Sequence, residues 1–120
     1  MVRLRDLVAQ ALADPGGSGP RQLGLFTTSI TDVAGWYSAD GFQNAVVGTA
    51  DGALTYLWWG PSSGEIVNRA RLYLCSASPA ALAGFATVDG VNHVIVATGD
   101  GKLTELYWPG NSTGPLRTVF

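Results

Sequence analysis

The chain has 120 residues, a formal net charge of −2 and a charged fraction of only 13%. This length allows one small domain, or one domain with a tail, and the few cations exclude a basic surface that could neutralise a run of phosphates, so we expect no nucleic-acid binding. No apolar stretch approaches the roughly 20 residues of a membrane-spanning helix, so we expect no membrane span.

The first predicted element is a short amphipathic helix over residues 2–13. Apolar side chains recur there at helical spacing and form one stripe. The linker DPGGSGP follows, so residues 1–20 are predicted to form a helix and linker, and residues 21–120 the body. So short a helix is marginal in water by itself. Its stripe must pack either on its own domain or on another subunit or partner, and the pattern leaves both open.

The N-terminal segment does not read as a secretory signal. Its apolar run is only about seven residues long, which is the short limit for such a signal, and it contains Gln10 and follows Asp6. Cys75 is the only cysteine, so no intrachain disulfide can form, and we expect it to be buried as a small apolar residue. These features favour the cytoplasm without excluding secretion.

The body is a tandem repeat. GTADGALTYLWW at 48–59 is echoed by ATGDGKLTELYW at 97–108, at one offset of 49 residues, the separation of Asp51 and Asp100. The pairs Ala34-Gly35 and Ala83-Gly84 share this offset. A period of this size indicates a solenoid or a β-propeller blade.

The repeat predicts its own strands. Each copy holds two Asp-Gly pairs between apolar runs, and we expect type I′ turns there, with positive φ at both central residues. A four-stranded antiparallel meander, the blade of a propeller, results. The predicted strands are 30–39, 42–50, 53–59 and 65–74 in the first repeat (about 27–74), 79–88, 91–99, 102–108 and 116–120 in the second (about 76–120), and 22–26 as a further copy of the fourth strand.

A known family has a similar repeat sequence. AGWYSADGFQNAVVGTADGALTYLWW at 34–59 and AGFATVDGVNHVIVATGDGKLTELYW at 83–108 resemble the repeats of the PLL-type bacterial lectins, which are β-propellers with tachylectin- and tectonin-like blades. The resemblance covers about residues 22–120. It implies a seven-bladed ring that binds sugars, often fucose-like or O-methylated ones, in pockets between blades. This chain departs from the family in having two repeats and an N-terminal helix.

Two blades by themselves leave aromatic-rich faces and strand edges uncovered. We therefore expect self-association of identical protomers, head to tail, into a closed ring. Complete rings then have an even number of blades: six from three chains is the first expectation and eight from four the second. A terminal strand, 22–26 or 116–120, is expected to complete a blade begun by the neighbouring protomer.

Aromatic and polar side chains supply the candidate site. Aromatic rings are platforms for the apolar face of a pyranose, but they also fill the wedge between blades, and both interpretations stay open. Glu105 replaces Tyr56 in the repeat, whereas Asn44 and His93 share one rim position that either binds hydroxyls or simply faces solvent. Gln43, Asn92, Arg69 and Arg71 belong to the same polar set. The candidate ligand-binding residues are Trp36, Tyr37, Asn44, Tyr56, Trp58, Trp59, His93, Glu105, Tyr107 and Trp108.

Constellations for catalysis are absent from the sequence. It contains no His/Cys cluster with metal-ligand spacing, no carboxylate pair set up for acid–base work and no phosphate-binding loop. We therefore predict no enzyme, catalytic residue, metal or cofactor. The first hypothesis is a non-enzymatic, lectin-like carbohydrate-binding module assembled from two-bladed protomers. The alternative is a scaffold whose helix at 2–13 recruits a protein partner and whose propeller binds no sugar. A third possibility is a degenerate remnant of a larger propeller with no ligand of its own.

Overall fold

The computed structural model describes residues 20–60 and 66–110, and the backbone of 117–119. This part of the chain is all-β. Its strands are β1 (Ile30–Tyr37), β2 (Gln43–Thr49), β3 (Ala53–Trp59), β4 (Asn68–Leu74), β5 (Pro79–Ala86), β6 (Val91–Thr98), β7 (Leu103–Pro109) and β8 (Arg117–Val119). They form two antiparallel sheets in the orders β1-β2-β3-β4 and β5-β6-β7-β8, the second with a short last strand. The predicted meanders are thereby confirmed; the predicted helix at 2–13 lies outside the described residues.

One predicted strand does not form in this chain. Residues 20–29 contain no strand, so the prediction for 22–26 is wrong for the single protomer. The physical reason is that the first sheet already has its own fourth strand, β4, and the segment packs on a face of that sheet instead of pairing at a strand edge. The segment lies against the first sheet through Leu23 and Phe26 instead.

The four Asp-Gly turns share one geometry, which is not type I′. No described residue other than glycine has a positive φ, so each aspartate keeps an ordinary backbone conformation. In the first turn Gly41 N–H donates to the Ser38 carbonyl, and Ser38 N–H to the Phe42 carbonyl, both at 3.0 Å. This is a three-residue loop closed by a left-handed glycine. The glycines are Gly41, Gly52, Gly90 and Gly101, with φ from 85° to 93°.

A hydroxyl two residues before each aspartate holds the turn together. The Thr49 hydroxyl donates to the Asp51 carboxylate at 2.5 Å, and that same carboxylate accepts the Ala53 N–H at 3.2 Å. Ser38 with Asp40, Thr87 with Asp89 and Thr98 with Asp100 repeat the hydroxyl contact. The carboxylate therefore acts as a local cap that sets the hairpin.

These contacts predict a loss of stability in acid. The Thr hydroxyl is the largest cause that lowers the pKa of Asp51, Asp89 and Asp100 below the ordinary value of 3.8. A carboxyl with a lowered folded pKa stabilises the fold above its unfolded pKa, and this contribution is lost as pH falls through the folded one. We expect the urea midpoint to begin to drop below about pH 5 and to keep dropping as the pH falls below 3.8, the ordinary pKa of these carboxyls.

A double variant, Thr87→Val with Thr98→Val, should show a smaller drop in that window, because two of the three carboxyls lose their hydroxyl partner. Urea titrations at several pH values check this. Thr27→Val, outside any Asp-Gly turn, is the control and should keep the native profile. An identical acid dependence in the double variant would contradict the prediction.

The two sheets pack face to face, and the repeat defines their faces. We call the face that carries Trp36, Val46, Leu54, Tyr56 and Trp58 the front face of the first sheet. The front face of the second sheet is the one that carries the residues 49 positions later. The opposite face of each sheet is its back face. The front face of the first sheet packs on the back face of the second. The shared core contains Val46, Leu54, Tyr56, Leu72, Cys75, Val94, Val96, Leu106 and Trp108.

Cys75 is buried in this core, as predicted, and burial raises the pKa of its thiol. Close approach of the sheets depends on Gly84 of β5, which lies under the ring of Trp36. The main-chain N–H of Leu82 also donates to Asp32 Oδ2 of β1 at 2.7 Å. Strands β1 and β5, the first strand of each sheet, are therefore the inner strands, and the two sheets meet along them.

The N-terminal segment covers part of the back face of the first sheet, over β2 and β3, and leaves the β1 side of that face exposed. Leu23 and Phe26 pack there on a second cluster made of Ala45, Val47 and Leu57.

Within the described ranges, no helix has the length and apolar character needed to cross a membrane.

Candidate functional site

The predicted site residues do not form one site. Trp36, Asn44, Tyr56, Trp58 and Trp108 meet in the core between the sheets. The Tyr56 ring stacks on Trp58 at 4.9 Å between centroids and meets Trp108 edge-on at 5.0 Å. The hydroxyl of Tyr56 donates to Asn44 Oδ1. The rings of Tyr56 and Trp108 are buried, so a ligand could reach these two only by parting the sheets, whereas Trp36 and Trp58 are partly buried.

Polar groups inside this interface tie the repeats together. The indole N–H of Trp36 donates to Asn92 Oδ1 at 2.9 Å, a bond from the first sheet to the second. Burial raises the pKa of Tyr56 to about 12, partly offset by the indole of Trp108. Asn92 Nδ2 and Trp108 Nε1 are buried without a hydrogen-bond partner among the described residues. This set serves the interior of the molecule.

A second group of predicted residues meets on the front face of the second sheet. His93 Nδ1 lies 3.1 Å from Glu105 Oε2, and His93 Nε2 lies 3.1 Å from the Thr87 hydroxyl. The His93 ring stacks on Phe85 at 4.8 Å and lies 6.3 Å from Tyr107. This face has no sheet against it among the described residues. The remaining predicted residues, Tyr37 and Trp59, lie on the back face of the first sheet.

A polar pocket is formed by groups outside the ten candidate residues, although Arg69 and Arg71 belong to the wider polar set named above. It has a volume of about 340 Å³ and lies beside the first sheet, between the β2–β3 turn, β4 and residues 26–28. Phe26 supplies one aromatic ring to its wall. Four hydroxyls line it, those of Thr27, Thr28, Thr49 and Thr55.

Charged groups give this pocket its chemistry. Arg69, Arg71 and Asp51 line it, and all three side chains are exposed. The Thr49 hydroxyl, followed by the Ala53 N–H, holds the pKa of Asp51 below its ordinary value, and the Arg71 charge adds to this, so the carboxylate is ionised at neutral pH. Arg69 lies 4.2 Å from the centre of the Phe26 ring and donates to the Leu25 carbonyl at 3.1 Å. The pocket thus offers donors and acceptors of both signs around one ring.

The repeat contains a second version of this pocket. A cavity of about 120 Å³ lies between the sheets and is lined by Cys75, Ser76, Thr98, Lys102 and Thr104, with Tyr73. Five of these residues stand 49 positions after residues that line the larger pocket, such as Thr49 and Thr55. The repeat offset was therefore the sequence signal that could have found the pocket. It was missed because Asp51 had been assigned to its turn alone, and the threonines had no distinctive motif.

A further cavity of about 260 Å³ lies between the turns at Asp40 and Asp89. Each carboxylate there is already engaged by its own turn hydroxyl. Over the residues that the structure describes, no group of three or more His, Cys, Asp or Glu side chains could hold a metal ion.

Comparison with known proteins adds no family. No protein-family model matches the chain, and no curated protein or solved structure is significantly similar to it. The class that the structure itself defines is an all-β protein of two stacked antiparallel sheets built from a tandem repeat.

Proposed function

We propose that this chain is a non-enzymatic, lectin-like carbohydrate-binding module, assembled from two-sheet protomers, whose sugar binds in the pocket between Phe26, Thr55 and Arg71. The observation that carries the proposal is the lining of that pocket. Hydroxyl, carboxylate and guanidinium groups converge there on a space whose volume of about 340 Å³ lies within the range of small-ligand sites.

Sugar chemistry matches this lining. A monosaccharide presents several hydroxyls, each a donor and an acceptor, together with a C–H face that packs on an aromatic ring. Asp51 can accept from hydroxyls, Arg71 can donate to them, and Phe26 offers an aromatic ring. The resemblance to PLL-type lectins, which bind sugars between blades, favours the same location. A fucose-like or O-methylated sugar is the proposed ligand, and a closed ring of three protomers with six blades is the proposed assembly.

Titration calorimetry with fucose and O-methylated monosaccharides tests the proposal. Arg71→Ala should weaken binding about tenfold or more, because a hydrogen bond from a charged donor is lost. The change is not expected to disturb folding, since the Arg71 side chain is exposed. Lys102→Ala is the matched control: it removes one exposed cation from the smaller pocket, and it should leave the affinity unchanged.

A glycan array gives the wider test. If the folded native chain binds no glycan, the carbohydrate proposal fails, and the scaffold hypothesis takes its place. Equal loss in Arg71→Ala and Lys102→Ala would place any sugar site elsewhere.

A further inference from the structure

We infer that copies of this chain bind head to tail, with the front face of one copy's second sheet docked on the back face of the next copy's first sheet. The inference deepens the proposed assembly, since it names the surfaces. It rests on the internal repeat: the interface already formed inside each chain joins a front face to a back face, and one face of each kind is left over.

The unused front face repeats the residues of the buried one. Leu54 is 0% exposed in the inter-sheet core, whereas Leu103, at the same repeat position, is 65% exposed. The hydrogen-bonded pair Tyr56 and Asn44 is matched by Glu105 and His93, which again lie side by side on adjacent strands. Beside them, an apolar depression of about 190 Å³ is lined by alanines together with Ile95 and Leu103. The second sheet therefore carries a docking face that this chain does not itself fill.

The exposed back face of the first sheet is equivalent, in the repeat, to the back face of the second sheet, which is covered inside the chain. Inside the chain the Trp36 ring lies over Gly84, where a side chain would not fit. The equivalent glycine, Gly35, is exposed between Val33 and Tyr37, which are 52% and 60% exposed. Phe85 stands at the repeat position of Trp36, so Phe85 of one copy would lie over Gly35 of the next. The exposed surface of β1 around Gly35 is therefore the site on which the Phe85 ring of another copy would pack.

The N-terminal segment forms the rest of this docking surface. Leu72 of β4 belongs to the same inter-sheet core cluster as Val94, Val96 and Leu106. Leu23, at the same repeat position, packs on Ala45, Val47 and Leu57, which are the equivalents of those three residues. The segment therefore lies where the last strand of a preceding sheet would lie.

The preceding sheet is supplied by a second copy. Strand β8 pairs with β7 only at Glu105, Leu106 and Tyr107. Leu103 has no strand partner on that side among the described residues, although its equivalent Leu54 pairs with Tyr73 of β4. Residues 22–25 of the next copy fit this open stretch, as in addition of a strand at a sheet edge.

Charge complementarity supports the same partner. The front face of the second sheet carries the carboxylate of Glu105, and the back face of the first sheet carries Arg69 and Arg71. Opposite charges on the two surfaces favour the head-to-tail contact over contacts between two identical faces.

The experiment blocks one surface at a time. Leu103→Asp spoils the front face of the second sheet, and Gly35→Leu fills the exposed surface of β1 on the back face of the first. Light scattering should find the native 120-residue chain associated, and each variant as a monomer of 12.5 kDa. An equimolar mixture of the two variants retains one good interface, so it should form a complex of two chains that grows no further.

Circular dichroism confirms that the variants fold, and Val33→Asp is a second back-face variant should Gly35→Leu fail to do so. A native chain that is folded and monomeric overturns the inference, and so do variants that still associate. A native oligomer whose two variants do not combine when mixed shows a different interface and also overturns it. Sugar binding is measured separately on the Leu103→Asp variant, because Arg69 and Arg71 of the proposed pocket lie on the back face that a docked copy would approach. This substitution lies outside the pocket lining, so association and sugar binding can each fail without the other.

Discussion

Gly84→Ala is expected to lower the free energy of unfolding by about 3 kcal/mol, at the upper end of the usual cost of overpacking a core. A methyl group at this position would lie 2.5 Å from Cζ3 of Trp36. The indole cannot simply move aside, because its N–H is bonded to Asn92 and its ring packs on Trp108. The inner strands β1 and β5 must therefore separate, and urea unfolding followed by tryptophan fluorescence measures the cost.

Gly35→Ala is the matched control at the same repeat position. A methyl group there meets only the Asn44 carbonyl oxygen, at 3.4 Å. Alanine is favoured over glycine in a strand by roughly 0.5–1 kcal/mol, so the stability of the single chain should stay level or rise. Both variants are compared in the Leu103→Asp background, which removes any contribution from association. Equal losses at the two glycines would refute the close packing at Gly84.

Trp108→Ala should cost about 3–5 kcal/mol, the usual loss when a large aromatic residue is deleted from a core. Trp108 is 0% exposed and contacts the rings of Tyr56 and Trp36 edge-on. Its removal leaves a cavity between the sheets that the packed strands cannot close. Thermal unfolding monitored by circular dichroism should show a large decrease in the midpoint.

Trp59→Ala provides the comparison, because Trp59 holds the same repeat position in the first sheet but is only partly buried. Its replacement should cost much less than that of Trp108. If the two substitutions destabilise the chain equally, the inter-sheet core is not where the structure places it.

The strands were predictable because their signals are local. Alternating apolar residues and Asp-Gly pairs lie within a few positions of the strands they define, and the prediction of 53–59 coincides with β3. The repeat also predicted the meander order, since adjacent hairpins need no long-range information. The turn type was missed because the Thr49 and Thr87 hydroxyls hold their aspartates at ordinary φ, a contact that the Asp-Gly pair does not reveal.

The candidate site depended on long-range contacts. Phe26 and Arg71 are far apart in sequence, yet they line one pocket because residues 20–29 fold onto the back face of the first sheet. Sequence reasoning favoured aromatic rings as ligand platforms, and the structure places Tyr56 and Trp108 in the interior instead.

The sequence by itself thus determined the repeat, the strands and the two faces of each sheet, because alternation along a strand assigns every side chain to a face. Which of these faces is buried depends on the tertiary structure. Tyr56 and Glu105 hold one repeat position, but only the first sheet's front face meets another sheet within the chain. Burial depends on the neighbour that a face acquires, and a chain of two repeats supplies that neighbour only once.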